Sequence, residues 1–288
     1  MSAGPDPSSF LSGDAGDVTH PWRAAKRHAG ELAYGAIDLA SGTRRRAGRL
    51  AALTRPLEVL VLGIYRPGSL LADALPALRS GQHRVDIVLG STDVAADQEL
   101  AGLTAATGLG GGKFENLNVL LAAAPERRPD WTLVVDDDVA FPTSFLDRFL
   151  GICEAFALDL AQPAQTLRSH SAWKITRRRP AALARITRFV EIGPVTAFRR
   201  EPAAVLLPFP ELRFGWGLDL HWAALALERG WRLGVVDAVP VRHEARTVAA
   251  GYPREEAEEE AARFLSERSF LPSARAGDTL AVYRRLPG

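Results

Sequence analysis

Three consecutive carboxylates, Asp136-Asp137-Asp138, follow the apolar run Trp131-Thr132-Leu133-Val134-Val135. Like charges this close repel one another, so a buried strand that delivers them to one place implies a positive partner. On an extended backbone alternate side chains share a face. Asp136 and Asp138 can therefore converge on one ion while Asp137 points elsewhere. Hard oxygen ligands suit Mg²⁺ or Mn²⁺ rather than zinc. In open α/β sheets the carboxyl ends of the strands are where ligands bind. The bland alternative is an acidic loop capping a helix that opens at Pro142, but three acids directly after a buried strand exceed what a cap uses.

The elements that must position these groups can be read from periodicity. Residues 57–64 form a short apolar, β-branched run ended by Arg66-Pro67-Gly68 and read as a buried parallel strand. A helical stretch near 69–80 follows, then a strand over 85–89. Residues 94–107 are ambiguous, 108–112 form a glycine loop, and 115–124 a helix. The strand at 131–135 leads into the aspartates, and Pro142 is expected in the first turn of a helix reaching about 157. Residues 158–164 and 189–198 resemble strands, 218–229 a helix, 231–239 a strand ended by Pro240, and 254–269 an acidic helix whose Glu run is expected to be solvated. Alternation of strand and helix predicts an α/β fold with a mostly parallel central sheet flanked by helices. Ahead of it lie residues 1–20, expected to be mobile, and two basic helical stretches in 21–55 separated by Ser41-Gly42-Thr43. The expected organisation is an N-terminal extension over 1–55, one domain over 56–250, and a helical C-terminal extension over 251–288.

Composition narrows the class. The 288 residues carry 35 Lys+Arg against 34 Asp+Glu, a net charge of +1, which removes the usual electrostatic case for nucleic-acid binding. Hydrophobic residues at 47% and charged residues at 24% are ordinary for a soluble globular chain. One cysteine, Cys153, excludes an intramolecular disulfide framework and a cysteine–zinc cluster. No apolar stretch approaches the roughly 20 residues of a membrane helix, and the first residues lack signal-peptide character. A cytoplasmic location is expected. Arginine far outnumbers lysine, which suggests a GC-rich, bacterial source.

Several segments then match in order. Leu133-Val134-Val135-Asp136-Asp137-Asp138 resembles the DxD motif of GT-A fold glycosyltransferases. The segment Ile192-Gly193-Pro194-Val195-Thr196-Ala197-Phe198-Arg199-Arg200 is similar to the Gly-then-Arg-Arg segment of family 2 glycosyltransferases. Gly215-Trp216-Gly217-Leu218-Asp219, Gly230, Gly234-Val235-Val236-Asp237 and His243 follow in that family's order, and also resemble an uncharacterised GT-A-related domain family of plants and bacteria. The resemblance spans about 57–245. It departs at Leu218, where the family's acidic pair has Glu, leaving only Asp219.

What the resemblance implies is a single GT-A-like domain moving a sugar from a nucleoside-diphosphate sugar, UDP favoured, to an acceptor hydroxyl or amine. Asp136, Asp138 and His243 would hold the divalent cation, Mn²⁺ or Mg²⁺, whose charge neutralises the leaving diphosphate. Asp219 would be the general base of an inverting hexosyltransferase, although an Asp at a helix start is also an ordinary N-cap. Asp136 and Asp137 would join the donor contacts, with Trp216 and Gly217 at the acceptor. The loop Gly108-Leu109-Gly110-Gly111-Gly112-Lys113 fails both the Walker and dinucleotide patterns. Lys113 and Asn116 remain donor candidates, because loop amides, a helix N-terminus and an ammonium can hold an anion. By position, Tyr65 could stack on a base, Arg66 pair with a phosphate, and Asp93 accept from a uracil or ribose. Competing readings are a sugar-1-phosphate nucleotidyltransferase, for which Arg66-Pro67-Gly68 is a poor signature, and an inactive nucleotide-sugar-binding protein of the same fold. The acceptor expected is a lipid, peptide, glycan or small molecule.

Overall fold

A computed structural model describes residues 5–11, 21–244 and 253–286. Ten strands and eight α-helices are present among them. The strands are β1 (Glu58–Tyr65), β2 (Arg84–Ser91), β3 (Thr104–Ala106), β4 (Trp131–Val135), β5 (Val139–Ala140), β6 (Leu160–Gln165), β7 (Ala184–Thr187), β8 (Val195–Arg199), β9 (Leu233–His243) and β10 (Thr279–Tyr283). The helices are α1 (Pro21–Ala40), α2 (Thr43–Leu53), α3 (Leu71–Leu78), α4 (Lys113–Ala123), α5 (Phe145–Ala155), α6 (Arg200–Leu206), α7 (Leu218–Arg229) and α8 (Arg254–Ser266).

The sheet order is β10-β7-β9-β6-β8-β4-β1-β2-β3, with β5 paired to β9 off this path. Strands β3, β2, β1 and β4 are mutually parallel, β8 runs against its neighbours β4 and β6, and β6 and β9 are parallel. Only β8 and β7 oppose the common direction along that order. The α/β architecture with a mostly parallel central sheet is therefore present.

Alternation within the central strands divides the core into two layers. Val59 and Val61 of β1, with Trp131, Leu133 and Val135 of β4, pack beneath α2, α3 and α5 around Leu50, Leu75, Phe145 and Phe149. Leu60, Leu62 and Val134 face the other way, toward Phe114 and Leu117 of α4, Leu218 and Trp222 of α7, and Phe264 of α8. Burial on both faces explains why these strands read as continuous apolar runs.

Four local expectations change. Pro142 lies ahead of its helix, because Ser144 adopts a left-handed conformation (φ 53°) and α5 starts at Phe145. In 189–198 only Val195–Arg199 is a strand; Pro194 has no amide hydrogen to give a ladder. Pro240 does not end β9. The pairing with β6 jumps from Pro163↔Val236 to Gln165↔Val241, so Pro240 falls in the bulged stretch, where no ladder bond is required of it. Finally, Glu260 of α8 is not solvated with its neighbours. Its carboxylate accepts from the amides of Arg213, Phe214 and Gly215 at 2.7, 2.9 and 2.9 Å. Arg254 and Glu258 do pair as expected, at 2.6 Å.

Of the segment expected to be mobile, residues 1–4 and 12–20 lie outside the described residues. Residues 5–11 carry Phe10, which is buried in the second core layer. The chain after α8 returns to the sheet as β10, against β7.

A buried ion pair locks the far half of the sheet. Arg185 of β7 donates to Asp237 of β9 at 2.8 and 3.0 Å, and to the carbonyls of Ile175 and Arg177 at 2.8 Å each. Asp237 also accepts the Arg179 amide at 2.8 Å. Both side chains are at most 1% exposed. Removing one partner strands the other charge in the core. Asp237→Ala is expected to lower unfolding free energy by about 3–5 kcal/mol, read as a shift in the urea midpoint.

Candidate active site

The cluster is assembled by backbone pairing. In β5 and β9, Val139 lies opposite His243 and Ala140 opposite Arg242. The amide of Glu244 donates to the Asp138 carbonyl at 2.9 Å. That short ladder brings Asp138, just past the end of β4, beside an imidazole 105 positions later in the chain. His243 Nε2 lies 3.2 Å from Asp138 Oδ1. One ligand atom from each of Asp136, Asp138 and His243 falls within 4.8 Å of the other two.

Asp137 is turned away, as alternation predicts. Arg66 holds it with Nε at 3.0 Å, Nη2 at 2.8 Å and its own amide at 3.0 Å. This fork ties the end of β1 to the end of β4 and leaves Asp136 and Asp138 to meet His243. Burial alone would raise the Asp138 pKa, but the His243 hydrogen bond and charge, with Arg66 nearby, bring it below its ordinary value. Burial likewise opposes charge on His243, yet Asp138, Asp136 and Glu191 outweigh it and raise the imidazole pKa.

These residues fit a divalent cation. His243 Nδ1 is 3.3 Å from the carbonyl of His170. A carbonyl can only accept, so Nδ1 carries the hydrogen and Nε2 is left facing Asp138. Nε2 must then hold a second proton toward that carboxylate or offer its lone pair to a cation they share. An outer carbonyl fixing the tautomer is the usual support for a ligating histidine. Two carboxylate oxygens and one imidazole nitrogen are a donor set that Mn²⁺ accepts.

Lys113 opens α4 and places Nζ 2.6 Å from Asp136 Oδ1 and 3.1 Å from the Ile192 carbonyl. Gly193 passes directly over this pair. A Cβ there would stand 2.8 Å from Asp136 Oδ2 and 3.1 Å from Lys113 Nζ, so a larger residue would push on the ends of these two side chains. The amide of Asp136 in turn donates to the Pro194 carbonyl at 2.9 Å.

Asp219, in the first turn of α7, is 5% exposed and accepts the Leu220 amide at 2.9 Å. Burial pushes its pKa up to about 7 against the opposing pull of the Leu220 and Ile192 amides.

Glu191 was not anticipated. It feels the charges of Asp219, His243, Lys113 and Asp136. Gln165 Nε2 donates to its carboxylate at 3.0 Å, and Gln162 accepts its amide. Burial, then the like charge of Asp219, push its pKa up to about 8. The signal was a lone acid inside the apolar string Phe189-Val190-Glu191-Ile192, matched by two glutamines in the otherwise apolar β6.

Other expected residues are placed differently. Tyr65 is 1% exposed, with its hydroxyl 2.8 Å from Thr104 Oγ1 and accepting the Asp97 amide at 3.1 Å; its ring belongs to the core, with no face open to a base. Asn116 is buried and pins the glycine loop, donating to the Gly111 carbonyl at 2.8 Å and accepting its amide at 3.1 Å. Gly112 packs against the Arg213 backbone, where a Cβ would come within 2.1 Å of the carbonyl oxygen. Close packing accounts for Gly112 but not for Gly108 or Gly110, where a Cβ would meet nothing within 4 Å. Asp93 is exposed and caps its own turn through the Val94 amide. Trp216 is half-buried against the α4–α7–α8 layer, beneath the Arg254 guanidinium, and Gly217 starts α7 at φ 82°.

No protein-family model and no curated protein sequence matches the chain. Among solved structures, it is similar to GalNAc-T7 with UDP, GalNAc and Mn²⁺ (TM-score 0.47, 12% identity, 69% of this chain and 45% of that one). It is also similar to S. aureus TarS 1–349 in complex with UDP-GlcNAc (TM-score 0.48, 16% identity, 72% of this chain and 65% of that one). The chain thus covers less than two thirds of either protein.

The buried carboxyls make metal-free stability depend on pH. A carboxyl whose pKa is higher folded than unfolded holds its proton more tightly in the folded state. The resulting stabilisation is complete below about 4.5 and is lost as pH rises through about 8 for Glu191. The urea midpoint of metal-free protein is expected to fall between pH 5 and 9 by roughly the amount such linkage allows, and Glu191→Gln is expected to flatten that fall.

Proposed function

We propose that the chain is a divalent-cation-dependent glycosyltransferase that takes its sugar from a nucleoside diphosphate, with UDP favoured. The observation that carries this reading is the meeting of Asp136, Asp138 and His243 at the carboxyl end of β4, with Lys113 on the rim at the start of α4. A cation held by those three would supply Lewis-acid stabilisation of the departing diphosphate. Lys113, now against Asp136, is positioned to exchange that partner for a phosphate oxygen at a helix N-terminus. Arg66 keeps Asp137 out of the cluster and holds β1 and β4 in register beneath it.

Asp219 is the proposed base. It would take the proton from the acceptor hydroxyl as that oxygen bonds to the anomeric carbon, and the product would carry inverted configuration. With Asp219 near 7 and Glu191 near 8, Asp219 loses its proton first. A neutral Glu191 beside it avoids two adjacent buried charges. Trp216 and Gly217, at the start of the same helix, are the proposed acceptor side.

A thermal-shift panel of nucleoside diphosphates tests the class. Stabilisation by one nucleotide only when Mn²⁺ is present, abolished in Asp138→Asn, is expected; stabilisation independent of metal, or none with any nucleotide, contradicts it. Once a donor is found, Asp219→Asn is expected to lower kcat by roughly 10²–10⁴-fold while leaving nucleotide binding in place. Wild-type kcat/KM should rise with pH through about 7, from the ionisation of Asp219. Anomeric NMR of the product decides the stereochemistry, and retention would remove Asp219 from the role of base.

A further inference from the structure

Helix α1 is amphipathic in the wrong sense for a helix lying on a protein. Its polar stripe faces inward. Glu31 and Asp38 both pair with the buried Arg178, and accept the amides of Leu167 and Ala181 at 2.9 and 2.7 Å. Tyr34, on the same stripe, lies 5.9 Å from that guanidinium. The opposite stripe is Trp22, Ala25, Ala29, Leu32, Ala36 and Leu39, spaced alternately three and four residues apart, and every member is exposed. Trp22 is 75%, Leu32 64% and Leu39 70% exposed. A surface helix of a globular protein normally shows the reverse arrangement.

The charges beside this stripe are of one sign. Residues 21–55 hold eight Lys or Arg against two acids, in a chain whose total is +1. Both of those acids are engaged by Arg178 on the inner side. Lys26 on α1 and Arg44, Arg45 and Arg49 on α2 are exposed, and α2 ends in Leu53 at 71% exposure.

We propose that the outer face of α1, with the basic face of α2, docks on an anionic lipid bilayer, α1 lying in the plane of the interface. Apolar side chains on one face flanked by cations, with a tryptophan at one end, are what an interfacial helix needs. Among the described residues no helix is long and apolar enough to span a membrane, so the contact would be peripheral. A second copy of the chain is a poorer occupant. Pairing two such faces would bring like-charged arginines together with no outward-facing acid on α1 or α2 to compensate. The inference concerns the N-terminal hairpin alone and stands or falls apart from sugar transfer.

Flotation of the full chain with vesicles tests it, comparing phosphatidylglycerol–phosphatidylcholine mixtures with phosphatidylcholine alone. Binding to the anionic vesicles at least roughly tenfold stronger, weakened by salt, is expected from a basic interfacial helix. The Leu32→Ser/Leu39→Ser variant should lose it while keeping the wild-type melting temperature, because both side chains are already in water. Equal binding to both vesicle types, no binding, or undiminished binding of the variant overturns the proposal. So does analytical ultracentrifugation showing a wild-type dimer that this variant dissolves, since the face would then belong to a second copy.

Discussion

The whole site depends on one short antiparallel ladder, Val139 opposite His243. Asp136 and Asp138 are delivered by β4, the innermost parallel strand of the first half of the sheet. His243 arrives from β9, on the other side of β8 and β6. Without that two-residue pairing the imidazole would end far from the aspartates. The ladder exists because β9 runs past its bulge and past Pro240 instead of stopping there. A feature that looks like a strand breaker therefore re-aims the strand end toward the cluster.

Electrostatics then sorts the acids that this convergence crowds together. Asp137 is neutralised by a forked arginine, Asp138 by an imidazole, and Asp136 by an ammonium. Among the described residues, Glu191 and Asp219 have no such cation in direct contact. Burial holds their protons instead, and the charge of Asp219 raises Glu191 further. The site thus contains carboxylates each paired with a cationic side chain or an imidazole, and two buried carboxyls that change charge near neutrality. Metal holding asks for the first kind, and proton transfer from an acceptor asks for the second.

Much of this was legible in the sequence. The central strands are long apolar runs bounded by glycine or proline, and α1, α2 and α7 have clear ends at Ser41-Gly42-Thr43 and Gly230, so periodicity finds them. The aspartate string announced itself by the cost of three adjacent charges. What was not legible depends on distant partners. Tyr65 looks available beside the first strand, but Thr104 and Asp97 claim its hydroxyl. Glu260 looks like one member of a solvated run, but three amides of the 213–215 loop converge on it. Glu191 acquires its character only when β6 and α7 pack around it. The outward apolar stripe of α1 is equally hidden, because which face of an amphipathic helix turns inward follows from where Arg178 sits.

The central claim is that Asp136, Asp138 and His243 share one cation, and anomalous X-ray scattering from crystals soaked in Mn²⁺ tests it most directly. The account predicts one strong manganese peak bounded by those three side chains, with the His243 imidazole directed at it through Nε2. A peak elsewhere, or a cluster that remains closed by the His243–Asp138 contact at saturating metal, would contradict it.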